Sequence, residues 1–521
     1  MTSYTLFGAV FVWLVVSVIS AWTAENAVGK GSPDGATLSG EPAKVAHDWP
    51  CYRGPGGGFA DPSKVPLLDD FSKAKLVWVS EHADLGWAKT GSGGKTARYP
   101  KSLHPSGGAS LIVAGGKVIV SYFVPKNSVV ADDVVLALDA ANGKTVWKKV
   151  FDGKGVSSGS YKGPQYGATP AAADGKVFVV GSSCRVYALD LATGDTAWET
   201  DLGEPHRAIA DVQAKAPVTD DRYDGLGFAV LNQWWNSRKL PQPPVEPVMA
   251  FGGVVMYPIG GKLYGLDAAT GKSAWTLPLG VAPCPVELNG KPYALLATGG
   301  GLYLIEPKSG KQVWEEKSAG GPMLVAGDGR AFVGGKPRGG GELTKGVQFL
   351  LSAYSLSETG ATFLWQSERA PITKGGELAY REGVVYLGVK DGGKGTTDRQ
   401  RSILALDAKD GSVLSAFEDS TLFKGEFHLW GDRLVLVGDN GHESLGSSCT
   451  YWPMTPGSRD LKKSGQAYTP RKTAGYMGVC GEGLTMRDAF ADGYQFTRAV
   501  NTEKAKGVIM CWDIGDRAGK R

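Results

Sequence analysis

The chain has 521 residues, among them 75 glycines and 15 tryptophans, and its 56 basic and 52 acidic side chains leave a formal charge of +4. Glycine at about twice its usual share but without a third-position period excludes collagen, and 42 % hydrophobic with 10 % aromatic residues excludes a disordered glycine-rich chain. The near-balanced charge argues against a nucleic-acid or anionic-membrane partner held by bulk electrostatics, and the cost of glycine in helix interiors, about 1 kcal/mol each, leaves a turn-rich β protein.

In chain order the first element is apolar. Tyr4 to Ala24 carries no charged side chain, so residues 1–24 read as a secretory signal or an N-terminal anchor, the latter tethering the protein to a membrane. Both readings export the chain to a periplasmic or extracellular location. Residues 25–47 are rich in Gly, Pro, Ser and Ala and read as a linker. Residues 74–80, with Trp78, read as an isolated strand.

Two kinds of hairpin then alternate. The first is a tight turn between apolar runs, centred on Gly115-Gly116, Asp174-Gly175, Gly252-Gly253, Asn289-Gly290, Asp328-Gly329, Glu382-Gly383, Gly431-Asp432 and Asp492-Gly493. Such pairs are strong hairpin signals. The second ends a strand in Leu-Asp, turns, and places Gly four and Trp eight positions after the acidic residue: Asp139, Gly143, Trp147; Asp190, Gly194, Trp198; Asp267, Gly271, Trp275; Glu306, Gly310, Trp314. Leu356, Gly360 and Trp365 form a variant, and after Asp407 and Gly411 the tryptophan is replaced by Ser415. The acidic side chain can accept backbone N–H groups and close the turn. The indole then lies on the returning strand, where it can dock against a neighbouring sheet.

Two hairpins make one four-stranded antiparallel blade, so the expected fold is all-β, an eight-bladed β-propeller. The second hairpin after Gly431 is degenerate, around Cys449 to Trp452. The final blade lacks a fourth strand, which residues 74–80 can supply, so that N- and C-terminal strands close the ring without an edge. Eight blades between Trp78 and Asp513 allow about 54 residues each, whereas seven, the alternative, would need about 62. The propeller then spans 48–516, with an insertion at 203–244 and a tail at 517–521.

The Leu-Asp-Ala-x-Thr-Gly-Lys-x-x-Trp unit, best seen at Asp190–Gly194 and Asp267–Lys272, resembles the tryptophan-docking repeat of quinoprotein (PQQ-like) β-propellers. Trp49-Pro50-Cys51-Tyr52-Arg53-Gly54-Pro55 is similar to the lead-in of exported bacterial PQQ-like propeller proteins. That resemblance implies either a non-catalytic binding or scaffold protein or a PQQ-dependent oxidoreductase of the alcohol or sugar dehydrogenase type, with Ca²⁺ beside the PQQ. The chain departs from the dehydrogenases in having no adjacent cysteine pair and no CxxCH, and no metal-ligand set can be matched. A hydrolase or lyase on the same ring is a third reading, supported only by acidic channel residues.

Strand order puts the short glycine turns on one end of the ring, the hairpin face, and the long connections 121–133, 334–346, 389–402, 439–448 and 203–244 on the other, the loop face. Long loops on a rigid scaffold are where binding resides. Trp234, Trp235 and Arg238 in the insertion are candidate contacts for a protein partner or small ligand. The entrances of the innermost strands should line the channel mouth, which makes His104, Gln165, Tyr166, Glu246, Lys374, Glu377, Glu426 and His428 binding candidates. No catalytic residue can be named. Gly155-x-Ser157-x-Gly159 lacks a strand–turn–helix context, and the Gly-Lys-Thr/Ser matches lack the leading glycine of a P-loop.

Overall fold

Alternating apolar runs punctuated by two-residue turns fold as hairpins stacked around an axis. The computed structural model of the chain describes residues 36–55, 61, 63, 65–85, 109–126, 130–156, 168–203, 207, 210–211, 246–335, 350–367, 378–390, 401–418, 426–438, 450–457, 459–474, 477–478, 488–501 and 506–518. The strands assemble into eight separate antiparallel sheets, the blades of a propeller. Blade 1 comprises Ile112–Ala114, Lys117–Pro125, Val130–Asp139 and Thr145–Val156, and blades 2 to 6 repeat the four-strand order without a crossover. Seven blades are thereby excluded.

Blade 8 closes the ring. Lys75–His82 pairs with Lys506–Asp513 in the register Lys75↔Asp513, Val79↔Met510, His82↔Gly507, and so supplies the fourth strand. A further strand, Ala36–Leu38, adds outside it. The stretch expected to be linker is therefore docked from residue 36 onward.

Blade 7 has three strands, Glu426–Trp430, Arg433–Gly438 and Thr450–Pro456. Isolated bridges Tyr451↔Tyr468 and Met454↔Lys463 run along its open edge in place of a fourth.

The two hairpin types keep their geometry around the ring. In seven of the eight first-type turns both central residues have positive φ, as in Asn289 (51°) and Gly290 (74°), matching the right-handed twist of the strands; at the eighth only Gly431 does. In the second type the carboxylate closes the turn: Asp190 accepts the amides of Ala192 and Thr193, both at 2.8 Å.

Tryptophan links each blade to the next. Trp78, Trp147, Trp198, Trp275, Trp314 and Trp365 each donate Nε1–H to a carbonyl of the following blade, namely Ala140, Leu191, Ala268, Pro307, Ser357 and Ala408, at 2.7–3.1 Å. Five of those indoles also lie flat on the turn glycine there; a Cβ on Gly271 would stand 2.5 Å from the Trp198 ring. Blade 7 has no such turn to receive an indole from blade 6. There Ser415 takes the tryptophan position, and its hydroxyl accepts the amide of Leu461 at 3.0 Å.

Most apolar clusters straddle neighbouring blades, and the largest joins blades 7, 8 and 1. Met249, Met256 and Trp275 of blade 3 pack with Ala294, Leu296 and Ile305 of blade 4, for example. Burial between blades is what sums to the stability of the ring.

Candidate functional site

The segment before the closing strand fills the axial channel from the hairpin face. It crosses beneath blades 8 and 1, where Ala43 N–H donates to Ala141 at 2.9 Å, the Asp492 carboxylate accepts the amides of Ala46 and His47 at 2.6 and 2.7 Å, and Asp48 accepts that of Gly115 at 3.0 Å. It then turns upward. Trp49 exchanges two backbone bonds with Val113 on the channel edge of blade 1, at 2.8 and 2.9 Å, and the Pro50 carbonyl accepts from Ala172 of blade 2 at 2.8 Å. These bonds use the free edges of innermost strands, so the plug is held as an extra strand would be.

A tight turn follows at Arg53 (φ 69°) and Gly54 (φ 72°). Gly54 lies against the Trp49 indole, where a Cβ would stand 2.8 Å from the ring. Glycine is required there by both its φ and the approach. The Asp61 amide donates to Leu429 of blade 7 at 2.9 Å, and the Leu67 amide donates to the Asp432 carboxylate at 3.0 Å. The Arg381 guanidinium of blade 6 clamps this contact, donating to the carbonyls of Gly431 and Leu429 at 2.8 Å and of Asp61 at 3.4 Å.

Two titrating contacts hold the plug. His47 Nδ1 meets Asp492 Oδ1 at 2.5 Å. The Asp492 hydrogen bond raises the His47 pKa above its ordinary value. Burial works against the Asp492 charge, but the His47 and Ala46 amides and the His47 ring outweigh it and hold the carboxyl below the usual range. Asp61 is 5 % exposed and accepts from the Ser63 amide and hydroxyl. Burial prevails over those bonds and pushes its pKa up to about 6.

Above that turn a cavity of about 370 Å³ is walled by the entrances of the innermost strands of blades 3 to 6, represented by Met249, Cys284, Met323 and Leu378, with Tyr52 and Arg53 contributed by the plug. Arg53 lies over the Tyr52 ring, 5.7 Å from its centroid. Burial pushes the Cys284 thiol up to about 11, against a smaller opposing pull from Arg53. Glu246 shares the lining; solvent reaches it, yet the surrounding protein raises its carboxyl above the ordinary value.

Of the sequence candidates, Glu246 lies in this cavity. His428 is on the innermost strand of blade 7, is 3 % exposed, and packs edge-on against Trp430 with ring centroids 4.9 Å apart, away from the cavity lining. Glu426 opens that strand. Its side chain, together with His104, Gln165, Tyr166, Lys374, Glu377, Trp234, Trp235 and Arg238, lies outside the described residues. Tyr52 and Arg53 were missed as site residues. Their signal was a Trp, a Cys and a Tyr in a Gly/Pro-rich stretch outside the repeats, an apolar content that demands burial. No disulfide joins the four described cysteines. No helix among the described residues is long and apolar enough to cross a membrane.

Comparison with known proteins finds the following. A family model described as outer membrane protein assembly factor BamB matches residues 74–344. The BamB protein of Burkholderia pseudomallei is 27 % identical over 183 residues, 33 % of this chain and 48 % of that protein, so the match spans about half the relative's length. Quinoprotein alcohol dehydrogenase PedH of Pseudomonas putida is 24 % identical over 443 residues, 71 % of this chain and 68 % of the relative. The crystal structure of quinohemoprotein alcohol dehydrogenase from Comamonas testosteroni aligns at 12 % identity with a TM-score of 0.49, covering 91 % of this chain and 82 % of that one.

Proposed function

The chain belongs to the PQQ-like propeller family whose model is described as outer membrane protein assembly factor BamB, and from that premise we propose that it is an exported binding or scaffold protein acting through its loop face. The observation that carries this reading is the plug. The hairpin end of the axial channel, which a quinoprotein dehydrogenase would give to its cofactor, is occupied by the chain's own Trp49 and Pro50, bonded to blades 1 and 2, with Ala46 and His47 held on the blade 8 turn and Asp61 on blade 7.

PQQ is a tricarboxylate bound with a divalent cation, so its pocket needs several cationic groups and a converging set of oxygen donors. The described cavity lining supplies one guanidinium and one carboxylate. No group of three His, Cys, Asp or Glu side chains converges among the described residues. The described residues therefore do not fit PQQ with Ca²⁺, and no chemical step is derived through it.

What remains is a ring whose connections between the second and third strands of a blade (B–C) and between blades (D–A) leave from one face, an arrangement suited to displaying contacts. The segment 121–133 is not a long loop there, because Lys117–Pro125 and Val130–Asp139 stay paired as far as Pro125↔Ala131. Trp234, Trp235 and Arg238 in the 203–244 insertion supply the residue types enriched at interface anchors, and the partner proposed for them is a protein. Export through the apolar N-terminal segment places that encounter in the periplasm or outside the cell.

Titration of the purified protein with PQQ and Ca²⁺, followed by absorbance and by dye reduction with alcohols and sugars, tests the reading. The expected outcome is no stoichiometric uptake and no turnover. Stoichiometric uptake with turnover would replace it with a quinoprotein dehydrogenase.

A further inference from the structure

We propose that Asn289 is a site of spontaneous covalent modification, its side-chain amide lost through attack by the backbone nitrogen of Gly290, while the same tripeptide at Asn142 is kept intact by the fold. The modification belongs to the hairpin face and stands whether or not the loop face docks a protein.

The sequence supplies its own control. Asn142-Gly143-Lys144 and Asn289-Gly290-Lys291 are identical tripeptides, so a difference in their fate must come from their surroundings. Asparagine is a thermolabile residue, and a following glycine leaves the attacking nitrogen unshielded by a Cβ. A third pair, Asn440-Gly441, lies outside the described residues.

At Asn142 every participant is engaged. Its Nδ2 donates to the Asp139 carboxylate and its Oδ1 accepts the Lys144 amide, both at 2.9 Å. The nucleophile is occupied as well, since the Gly143 N–H donates to the Asp139 carbonyl at 2.7 Å. The Trp78 indole covers that glycine, 2.5 Å from where a Cβ would stand. Ring closure there would break these hydrogen bonds and undock an indole that ties blade 8 to blade 1.

At Asn289 those restraints are missing. Asn289 and Gly290 are exposed in the two-residue turn between Cys284–Leu288 and Lys291–Thr298 of blade 4. Among the described residues no protein acceptor takes the Gly290 amide, and nothing lies within 4 Å of a Cβ built there. The Asn289 Nδ2 donates to the Glu358 carboxylate at 3.3 Å, longer than an ordinary N–H···O bond. The backbone rotation that brings the nitrogen onto Cγ therefore displaces no packed group.

The Gly290 amide gives its proton to a solvent base, and its nitrogen attacks Asn289 Cγ. The Cγ–Nδ2 bond breaks, the amide leaves as ammonia, and a succinimide closes. Water then opens either carbonyl, giving aspartate or isoaspartate. One water is consumed and one ammonia released, with nothing oxidised or reduced. Either product sets a carboxylate against Glu358, in the turn between Leu350–Ser357 and Gly360–Gln366 of blade 5, where a donor stood before. Isoaspartate also lengthens the main chain inside the turn that holds Leu288 opposite Lys291.

The test incubates the full-length protein at pH 8 and follows amide loss at each asparagine by peptide-mapping mass spectrometry, with isoaspartate counted by enzymatic methylation. A parallel sample in urea removes the fold. In the folded protein Asn289 should convert at least about tenfold faster than Asn142, the discrimination that retained hydrogen bonds supply; in urea the two rates should converge. Gly290→Ala should slow conversion at Asn289 several-fold and leave Asn142 unchanged. Equal rates in the folded protein, faster loss at Asn142, or a preference for Asn289 that persists undiminished in urea each overturns the proposal, as does unslowed conversion in folded Gly290→Ala. The comparison with urea stands by itself if that variant does not fold.

Discussion

The recurring glycine of the second hairpin has two separate reasons to be glycine. At Gly271 φ is 71°, and a Cβ would also enter the Trp198 indole of the preceding blade; at Gly290, in a turn of the first type with φ 74°, nothing lies within 4 Å. Alanine at Gly290 therefore meets only the left-handed backbone penalty, about 1–2 kcal/mol. Alanine at Gly271 meets that penalty and must also displace a docked indole, which adds roughly 1–3 kcal/mol of overpacking. Urea unfolding of the two variants should show the larger midpoint shift for Gly271→Ala. Equal shifts would mean that the indole moves aside at little cost. Spacing alone revealed that Gly and Trp recur together. It concealed that the partners sit on different blades, since the tryptophan eight residues after an acidic side chain packs on the glycine of the next repeat.

The plug is the element whose stability should depend on pH. Asp61 is penalised when charged: its contribution is most favourable below its ordinary value of 3.8 and declines as pH rises through about 6. The His47–Asp492 pair has the opposite limits. His47, raised, contributes fully below 6.5 and loses its contribution as pH climbs through its folded value. Asp492, lowered, contributes above 3.8 and loses its contribution as pH falls through its folded value. All three favour a seated plug between about pH 4 and 6. Hydrogen exchange of the amides of His47, Trp49 and Asp61, corrected for intrinsic rates, should be more protected at pH 5 than at pH 8. Asp61→Asn should remove most of that difference and stabilise the protein at pH 8 by on the order of 2 kcal/mol; unchanged protection across the range would remove Asp61 from this role. The plug was legible only as a family-like motif, because a segment outside the repeats carries no periodicity to say where it lies. Its Trp49 and Cys51 announced burial without naming the channel.

At the scale of the whole ring, the fold depends on one strand from the far end of the chain. Lys75–His82 completes blade 8, and Trp78 then docks on Gly143 of blade 1. Removing residues 48–80 takes away the closing strand, that dock and the plug together. Calorimetry should show a melting temperature lowered by many degrees or a loss of the single cooperative transition. A melting temperature equal to that of the full chain would refute closure as the source of the ring's stability. Blade number and closure were readable from the sequence because each turn is a local event written in a few residues. The degenerate blade 7 was also readable, since its second hairpin lacks the Asp, Gly and Trp set. The candidate site was far less readable. Glu246 reaches the cavity because it precedes an innermost strand, whereas His428, also on an innermost strand, is buried against Trp430.

What the sequence by itself determined is the repeating architecture: hairpin turns, strand alternation and docking tryptophans are short-range patterns, and eight copies leave one way to close. What only the tertiary structure decided is what occupies the axis. The described residues between 46 and 67 make contacts with strands and turns from Val113 to Asp516 in sequence, and no local propensity encodes pairings at such separations. The physical reason is the free inner edges of the innermost strands. Their unpaired amides and carbonyls required partners, and the chain's own N-terminal segment supplied them, turning an open pore into a cavity with an arginine at its base.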